Sequence, residues 1–331
     1  VQPEKHVHDT IIIGGGTTGL FTAFYGGMRG MDIRLIESLP ELGGQLAALY
    51  PEKNIYDVAG FPEIRAKDLV ERLKEQALAF DPYITLNAAV SDVEKLDEQL
   101  FKVTTNQAVY YAKTVIITGG VGAFEPRRLQ LDNAEQFEES SLFYAIQDIY
   151  TFANKKVVIS GGGDSAIDWA LALEPLAKEV SLVHRREAFR AHEQSIKQLH
   201  ESTVKIKTPY MVKQINGESR DIKEIMIGDK NGTLEEAIDA DALVVSHGFK
   251  SNLGPIKDWG LELDKRSIVV NECMETNIKG IYAAGDITTH KGKVKLIASG
   301  FGEAPTAISH AKTYIDPKSR TQPMHSTSLF G

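Results

Sequence analysis

A chain of 331 residues, 42% apolar and 25% charged, is long enough for two domains with substantial cores. Its net charge of −8 argues against general nucleic-acid binding, and its single cysteine, Cys273, excludes an internal disulfide, a CxxC redox pair and a cysteine-rich zinc site. No apolar run approaches the roughly 20 residues of a membrane span, and the polar stretch carrying His6 and His8 does not resemble a secretory signal, so a cytoplasmic location is expected.

The first organised stretch is Thr10-Ile-Ile-Ile-Gly-Gly-Gly-Thr-Thr-Gly19. A β-branched run, Ile11 to Ile13, leads into Gly14-x-Gly16-x-x-Gly19 with Thr17 and Thr18 between, and a helix-compatible stretch, Leu20 to Met28, follows. This is the strand–turn–helix setting of a dinucleotide fingerprint. Gly14 allows the tight turn, Gly16 lets the backbone approach a pyrophosphate, and Gly19 lets the helix pack on the strand. The helix N-terminus offers free N–H groups to the phosphates. After a second apolar run, Ile33 to Ile36, Glu37 stands where an acidic residue accepts hydrogen bonds from a ribose.

Gly43-Gly44-Gln45-Leu46 then marks a loop in which backbone can lie against a ligand, and an irregular segment carrying Tyr50, Tyr56 and Phe61 follows. Taken alone, Tyr50 reads as an ordinary half-buried tyrosine. Residues 66–80 have helical spacing, with Leu69, Leu73, Ala77 and Phe80 on one face. Strands are expected around Thr85–Leu86, Val90–Val93, Phe101–Thr104, Ala108–Ala112 and Lys113–Thr118.

A second fingerprint, Gly161-x-Gly163-Asp164-Ser165-Ala166, follows the apolar run Val157 to Ile159 and opens a helix to Leu173, which makes it an internal repeat of one binding unit. Its next strand, Val180 to Val183, ends not on an acidic residue but on His184-Arg185-Arg186, with Arg190 four residues on. Guanidinium forks bind phosphate bidentately, so a 2′-phosphate and hence NADP(H) is expected here. Asn216-Gly217 and Asn231-Gly232 are hairpin signals, and Ala242 to Ser246 is a further strand. Gly280 to Asp286 reads as a last strand whose Asp286 either accepts from sugar or ribitol hydroxyls or caps the next helix. Gly300 to Ala307 reads as a glycine-containing turn into a helix, and residues 317–331 as a frayed terminus.

Two fingerprints, one ended by an acid and one by arginines, together with Ala284-Gly285-Asp286, resemble the two-dinucleotide-binding flavoproteins, and in spacing and length thioredoxin reductase. That resemblance implies an α/β chain of two Rossmann-like, three-layer domains, 1–117 with 247–331 binding FAD and 118–246 binding NADPH. Thioredoxin reductases carry a CxxC upstream of the second fingerprint; here Leu142 to Tyr150 has no cysteine. The cysteine-free branch that the sequence resembles is the thioredoxin-reductase-like ferredoxin/flavodoxin–NADP+ reductases, on Tyr50-Pro51-Glu52-Lys53, Asp57 to Pro62, His290-Lys291-Gly292-Lys293 and the tail around His325-Ser326-Thr327-Ser328.

The resemblance implies a homodimer in which Tyr50 and His325 stack on opposite flavin faces and residues 317–331 cover the ring. Ser326 and Thr327 then lie beside it, and Val90 and Phe124 join the FAD contacts. Electrons pass between NADP(H), the flavin and a ferredoxin or flavodoxin, with no metal. Lys291, Lys293 and Lys295 form a candidate basic patch for an acidic partner. A quinone or oxygen reductase, an enzyme with an external dithiol partner, and an NADPH-sensing flavoprotein are the competing readings.

Overall fold

A computed structural model describes residues 6–322, the side chains of residues 123–125 and 251 excepted. The chain packs as two units, Val1–Phe124 with Ser251–Gly331, and Glu125–Lys250. Among the described residues no helix is long and apolar enough to cross a membrane.

The first unit is built on β1 (Val7–Ile13), α1 (Thr17–Met28), β2 (Ile33–Ile36), the short α2 (Gln45–Leu49), α3 (Ala66–Leu78), β3 (Tyr83–Thr85) and three longer strands, β4 (Val90–Asp97), β5 (Leu100–Thr105) and β6 (Val109–Ile117). They order as β3-β2-β1-β6-β5-β4, and the strand Ile281–Ala283 adds to β6. β1 runs parallel to both neighbours, with Ile12 opposite Leu35 on one side and Ile116 on the other. Ile11, Ile12, Leu35, Val115, Ile116 and Ile117 are fully buried or nearly so. Such runs, apolar on both faces, are what a parallel strand covered on two sides requires. α1 packs against α3 and against the C-terminal helix Ile297–Ile315. Leu69, Val70, Leu73 and Ala77 make the buried stripe of α3.

The second unit repeats the plan with β7 (Lys156–Gly161), α4 (Asp164–Leu173), β8 (Glu179–Val183), α5 (Glu193–Glu201), β9 (Lys205–Lys207), a meander of β10 (Met211–Glu218), β11 (Asp221–Gly228) and β12 (Glu235–Asp239), and β13 (Ala242–Ser246). β7 is parallel to β8 and to β13, and β8 to β9. The meander closes a second core around Phe137, Ile215, Ile225 and Ile227.

Three expectations need correction. Ala108–Ala112 and Lys113–Thr118 are one strand, β6, because Lys113 stays in the ladder and pairs with Asp9 at 2.8 Å. Asn216-Gly217 is not a turn: it lies inside β10 at a bulge, and the chain reverses at Ser219, which takes φ 56°. Gly217 answers a close approach instead, since a Cβ there would stand 2.1 Å from the Asp221 carbonyl oxygen. Gly300 to Ala307 is not a turn but the interior of the last helix, which continues through Pro305 and leaves the Phe301 carbonyl without its helical donor. The turn at Asn231-Gly232 does form, held by Asp229, whose carboxylate accepts from Thr233 and the Leu234 amide and is drawn down to about 2.

His6, His8 and Asp32 gather at the start of β1. Arg34 Nε donates to His8 Nε2 at 2.9 Å, which leaves the proton on Nδ1 to meet Asp32 at 3.2 Å. The cluster is a hydrogen-bonded chain whose buried imidazole has its lone pair already engaged.

Alanine normally exceeds glycine inside a helix by about 1 kcal/mol. In α1 a Cβ at Gly19 would fall 1.9 Å from the Gly14 carbonyl oxygen, whereas at Gly302 in the last helix nothing lies within 4 Å. Thermal unfolding should therefore show Gly19→Ala losing roughly 1–3 kcal/mol or more to overpacking and Gly302→Ala gaining up to about 1 kcal/mol.

Candidate functional site

A cavity of about 660 Å³ opens at the C-terminal ends of β1 and β2, its wall running through Gly14, Gly16, Thr17, Thr18 and Glu37. Gly14 takes φ +111°, and a side chain there would meet the Thr118 carbonyl at 2.7 Å. The Gly14 amide donates to Ile36, and its carbonyl accepts from Thr118 Oγ1 at 2.7 Å, so the turn is tied to both neighbouring strands. Gly16 then begins α1 with no side-chain cap and no acidic residue in the first turn. A Cβ on Gly16 would find nothing nearer than Gly44 Cα at 3.9 Å. Unsatisfied helix N–H groups therefore face open space, the arrangement that takes an anion.

Gly43 bridges to Gly16, and its amide donates to the Gly15 carbonyl at 2.8 Å, which brings Gln45 and Leu46 of α2 into the wall. Glu37 is only 6% exposed. Its Oε2 accepts from the Gly15 amide at 2.7 Å and its Oε1 from the Leu39 amide and Ser38. Three donors leave roughly one of about four acceptor positions for a hydroxyl in the cavity. Glu37 thus shapes the turn as well as facing the cavity.

Asp286 also lines this cavity, and the next helix has Leu296, not Asp286, at its N-cap, so the capping alternative falls away. Tyr50 ends α2 and shares the same wall as Val90. Burial, and secondarily the negative charge of Asp286, push the Tyr50 phenol above its ordinary range and keep it protonated. Gly19 lies outside the lining, packed behind the turn. His325, Ser326, Thr327 and Ser328, like the Phe124 side chain, lie outside the described residues.

A cavity of about 750 Å³ in the second unit is built the same way. Gly163 starts α4 without a side-chain cap, and a Cβ there would meet only the Arg190 carbonyl at 3.7 Å. Gly163 bridges to Arg190 as Gly16 bridges to Gly43, and the Arg190 amide donates to the Gly162 carbonyl at 2.7 Å. Asp164 Oδ1 accepts from the His192 amide at 2.8 Å, Ser165 lines the cavity, and Ala166 is buried behind it.

Arg185, Arg186 and Arg190 are exposed at the rim, and among the described residues no carboxylate pairs with them. His184 differs from its neighbours. Burial holds its pKa down, the arginines add to that, and its buried Nε2 has no partner among the described residues. It lies across Gly162 and stacks on Phe189 at 5.4 Å as a neutral ring.

Several wall residues carry no sequence signal of their own. Gly254, Pro255, Ile256 and Trp259 reach the first cavity, and Tyr210 and His247 the second. Only the strand end at β13 marks His247, whose Nε2 meets Ser160 Oγ at 2.9 Å. The lysine patch shrinks to Lys291 and Lys295, because the Lys293 side chain is 5% exposed and bound to Glu303.

Comparison with known proteins agrees with this architecture. The profile of the pyridine nucleotide-disulphide oxidoreductase family matches residues 8–311. The chain is 59% identical over 330 residues to a protein of Bacillus pumilus named ferredoxin–NADP reductase 2, covering 100% of this chain and 99% of that one. It is 58% identical over the same length to a Bacillus licheniformis protein of the same name, again covering 100% and 99%. Thioredoxin reductase of T. acidophilum superposes with a TM-score of 0.77 at 25% identity, over 95% of this chain and 100% of that one. The chain belongs to the pyridine nucleotide-disulphide oxidoreductase family, with a thioredoxin-reductase-like fold and relatives named ferredoxin–NADP reductase.

Proposed function

We propose that the chain is an FAD-dependent ferredoxin–NADP+ reductase, with FAD in the first cavity and NADP(H) in the second. The observation that carries the reading is the pair of uncapped, glycine-initiated helices, one beside buried Glu37 and the other beside three arginines that have no carboxylate partner among the described residues. Gly14, Gly16, Thr17 and Thr18 would hold the FAD pyrophosphate, Glu37 a ribose hydroxyl and Asp286 the ribitol chain. Gln45, Leu46 and Val90 would line the nucleotide, and Tyr50 would offer a neutral ring to one flavin face. In the second cavity Gly161, Gly163 and Ser165 would take the pyrophosphate and Arg185, Arg186 and Arg190 the 2′-phosphate. FAD, when bound, supplies the conversion between the two-electron hydride of NADPH and the one-electron steps of ferredoxin. One cysteine in the chain leaves no dithiol for the disulfide chemistry after which the family is named.

The same reading places a flavodoxin as a second acceptor, a cytoplasmic location, and a homodimer. In that homodimer the segment 317–331 would cross to the flavin of a second copy. Arg29, at the C-terminal end of α1, donates to the carbonyls of Arg320 and Thr321 at 2.6 and 3.0 Å.

Rapid mixing tests the assignment. NADPH should bleach the yellow protein at least about 100-fold faster than NADH, two charge-assisted contacts' worth, and oxidised ferredoxin should restore the colour. Reoxidation by oxygen or quinone but not ferredoxin would contradict the reductase reading. Arg185→Ala/Arg186→Ala should raise the KM for NADPH at least about tenfold and leave that for NADH unchanged. Mixing Tyr50→Ala with His325→Ala protein should restore activity in a quarter to a half of the sites if tails are exchanged between copies, and in none if each tail serves its own chain, an outcome set by the pairing symmetry of a two-fold dimer.

A further inference from the structure

Behind Gly285 and Asp286 lies a buried ion pair that touches neither cavity. Glu303, 9% exposed on the last helix, and Lys293, 5% exposed at its side chain, meet at 2.5 Å. Their free atoms converge on one residue. Glu303 Oε2 accepts from the Gly285 amide at 2.7 Å, and Lys293 Nζ donates to the Gly285 carbonyl at 3.0 Å. Thr288 Oγ1 donates to the same carbonyl, and His290 Nε2 stands 3.3 Å from Glu303 Oε1. Both polar groups of one glycine are thus gripped by opposite charges.

Burying two charges costs several kcal/mol of desolvation, and an apolar pair of equal volume often fills such a place at no loss of stability. What an apolar pair cannot do is orient a peptide group. Gly285 takes φ +83° and packs so closely on α1 that a Cβ would stand 2.8 Å from Thr18 Oγ1. The residue after it is Asp286, in the wall of the first cavity beside Thr17 and Thr18. The clamp therefore fixes, through one peptide unit, the acceptor Asp286 and its distance from the first turn of α1.

We propose that Glu303 and Lys293 are positioning residues for the first nucleotide, setting the Gly285 peptide so that Asp286 meets its ligand in one orientation. The inference rests on the reading of that cavity as the FAD site. It also gives Lys293 a task inside the fold in place of one at the partner surface.

The test compares full-length wild type with Glu303→Gln, Lys293→Met, Lys293→Arg and the Glu303→Gln/Lys293→Met double variant. The readouts are the FAD dissociation constant, visible circular dichroism of the bound flavin and the thermal midpoint. Each neutralising variant should bind FAD about tenfold more weakly, as expected for one lost charge-assisted contact, with an altered flavin dichroism. The double variant should be no weaker than either single one, since the two act as a unit, and Lys293→Arg should recover part of the loss. Variants that melt earlier yet keep wild-type FAD affinity and dichroism overturn the proposal, because a merely structural pair gives that result. If Glu303→Gln does not fold, the Lys293→Met and Lys293→Arg comparison decides alone. Wild-type protein that takes up no FAD overturns the FAD reading itself, an outcome distinct from unaffected variants of an FAD-binding protein.

Discussion

The structure depends on unsatisfied backbone N–H groups at the starts of two helices. Each helix begins on a glycine with no side-chain cap, and the space a Cβ would occupy on Gly16 or Gly163 is left open. A helix end of this kind is unfavourable when buried without partners, and an anion is the ligand that satisfies it best. Much of the surrounding chain keeps these two ends in place. Thr118 ties Gly14 to β6, Gly43 fastens the α2 segment to the turn, and the Arg190 amide does the same for the second turn.

What differs between the two units is the residue that waits beyond the next strand. In the first, buried Glu37 is an acceptor with most of its capacity already given to the Gly15 and Leu39 amides, so it offers a fixed, singly directed contact. A second phosphate beside such a carboxylate would meet a like charge in a poorly solvated place. In the second unit three guanidinium groups stand at the rim with no carboxylate partner among the described residues, and the proposed 2′-phosphate would complete them. His184, in the middle of this arginine stretch, is held neutral by burial and contributes shape instead of charge. On the proposed reading, one scaffold sorts two ligands by the sign of a single corner.

Much of this was legible in the residues. Fingerprint glycines can be read because steric demand leaves no substitute at Gly14 or Gly19, and parallel strands can be read because Ile11 to Ile13 and Val157 to Ile159 are apolar on both faces. The clamp of Glu303 and Lys293 was not legible: its members are ten residues apart, lie on a loop and a helix, and meet over the Gly285 backbone. Long-range packing misled the reading of Gly300, whose small size serves contact with Thr18 and not a turn. Asn216-Gly217 failed for a related reason, since the demand for glycine came from the partner strand and not from the local backbone. Local signals report local causes, and in each of these places the cause was tertiary.

The central claim is that the two cradles are distinguished by charge at the ribose corner. Its most direct measurement is calorimetric titration of the FAD-loaded protein with adenosine 2′,5′-bisphosphate and with adenosine 5′-monophosphate, each at low and high salt. The bisphosphate should bind at least about tenfold more tightly, the worth of one charge-assisted contact, and the gap should narrow as salt screens the exposed arginines. Equal affinities for the two nucleotides, unmoved by salt, would contradict it.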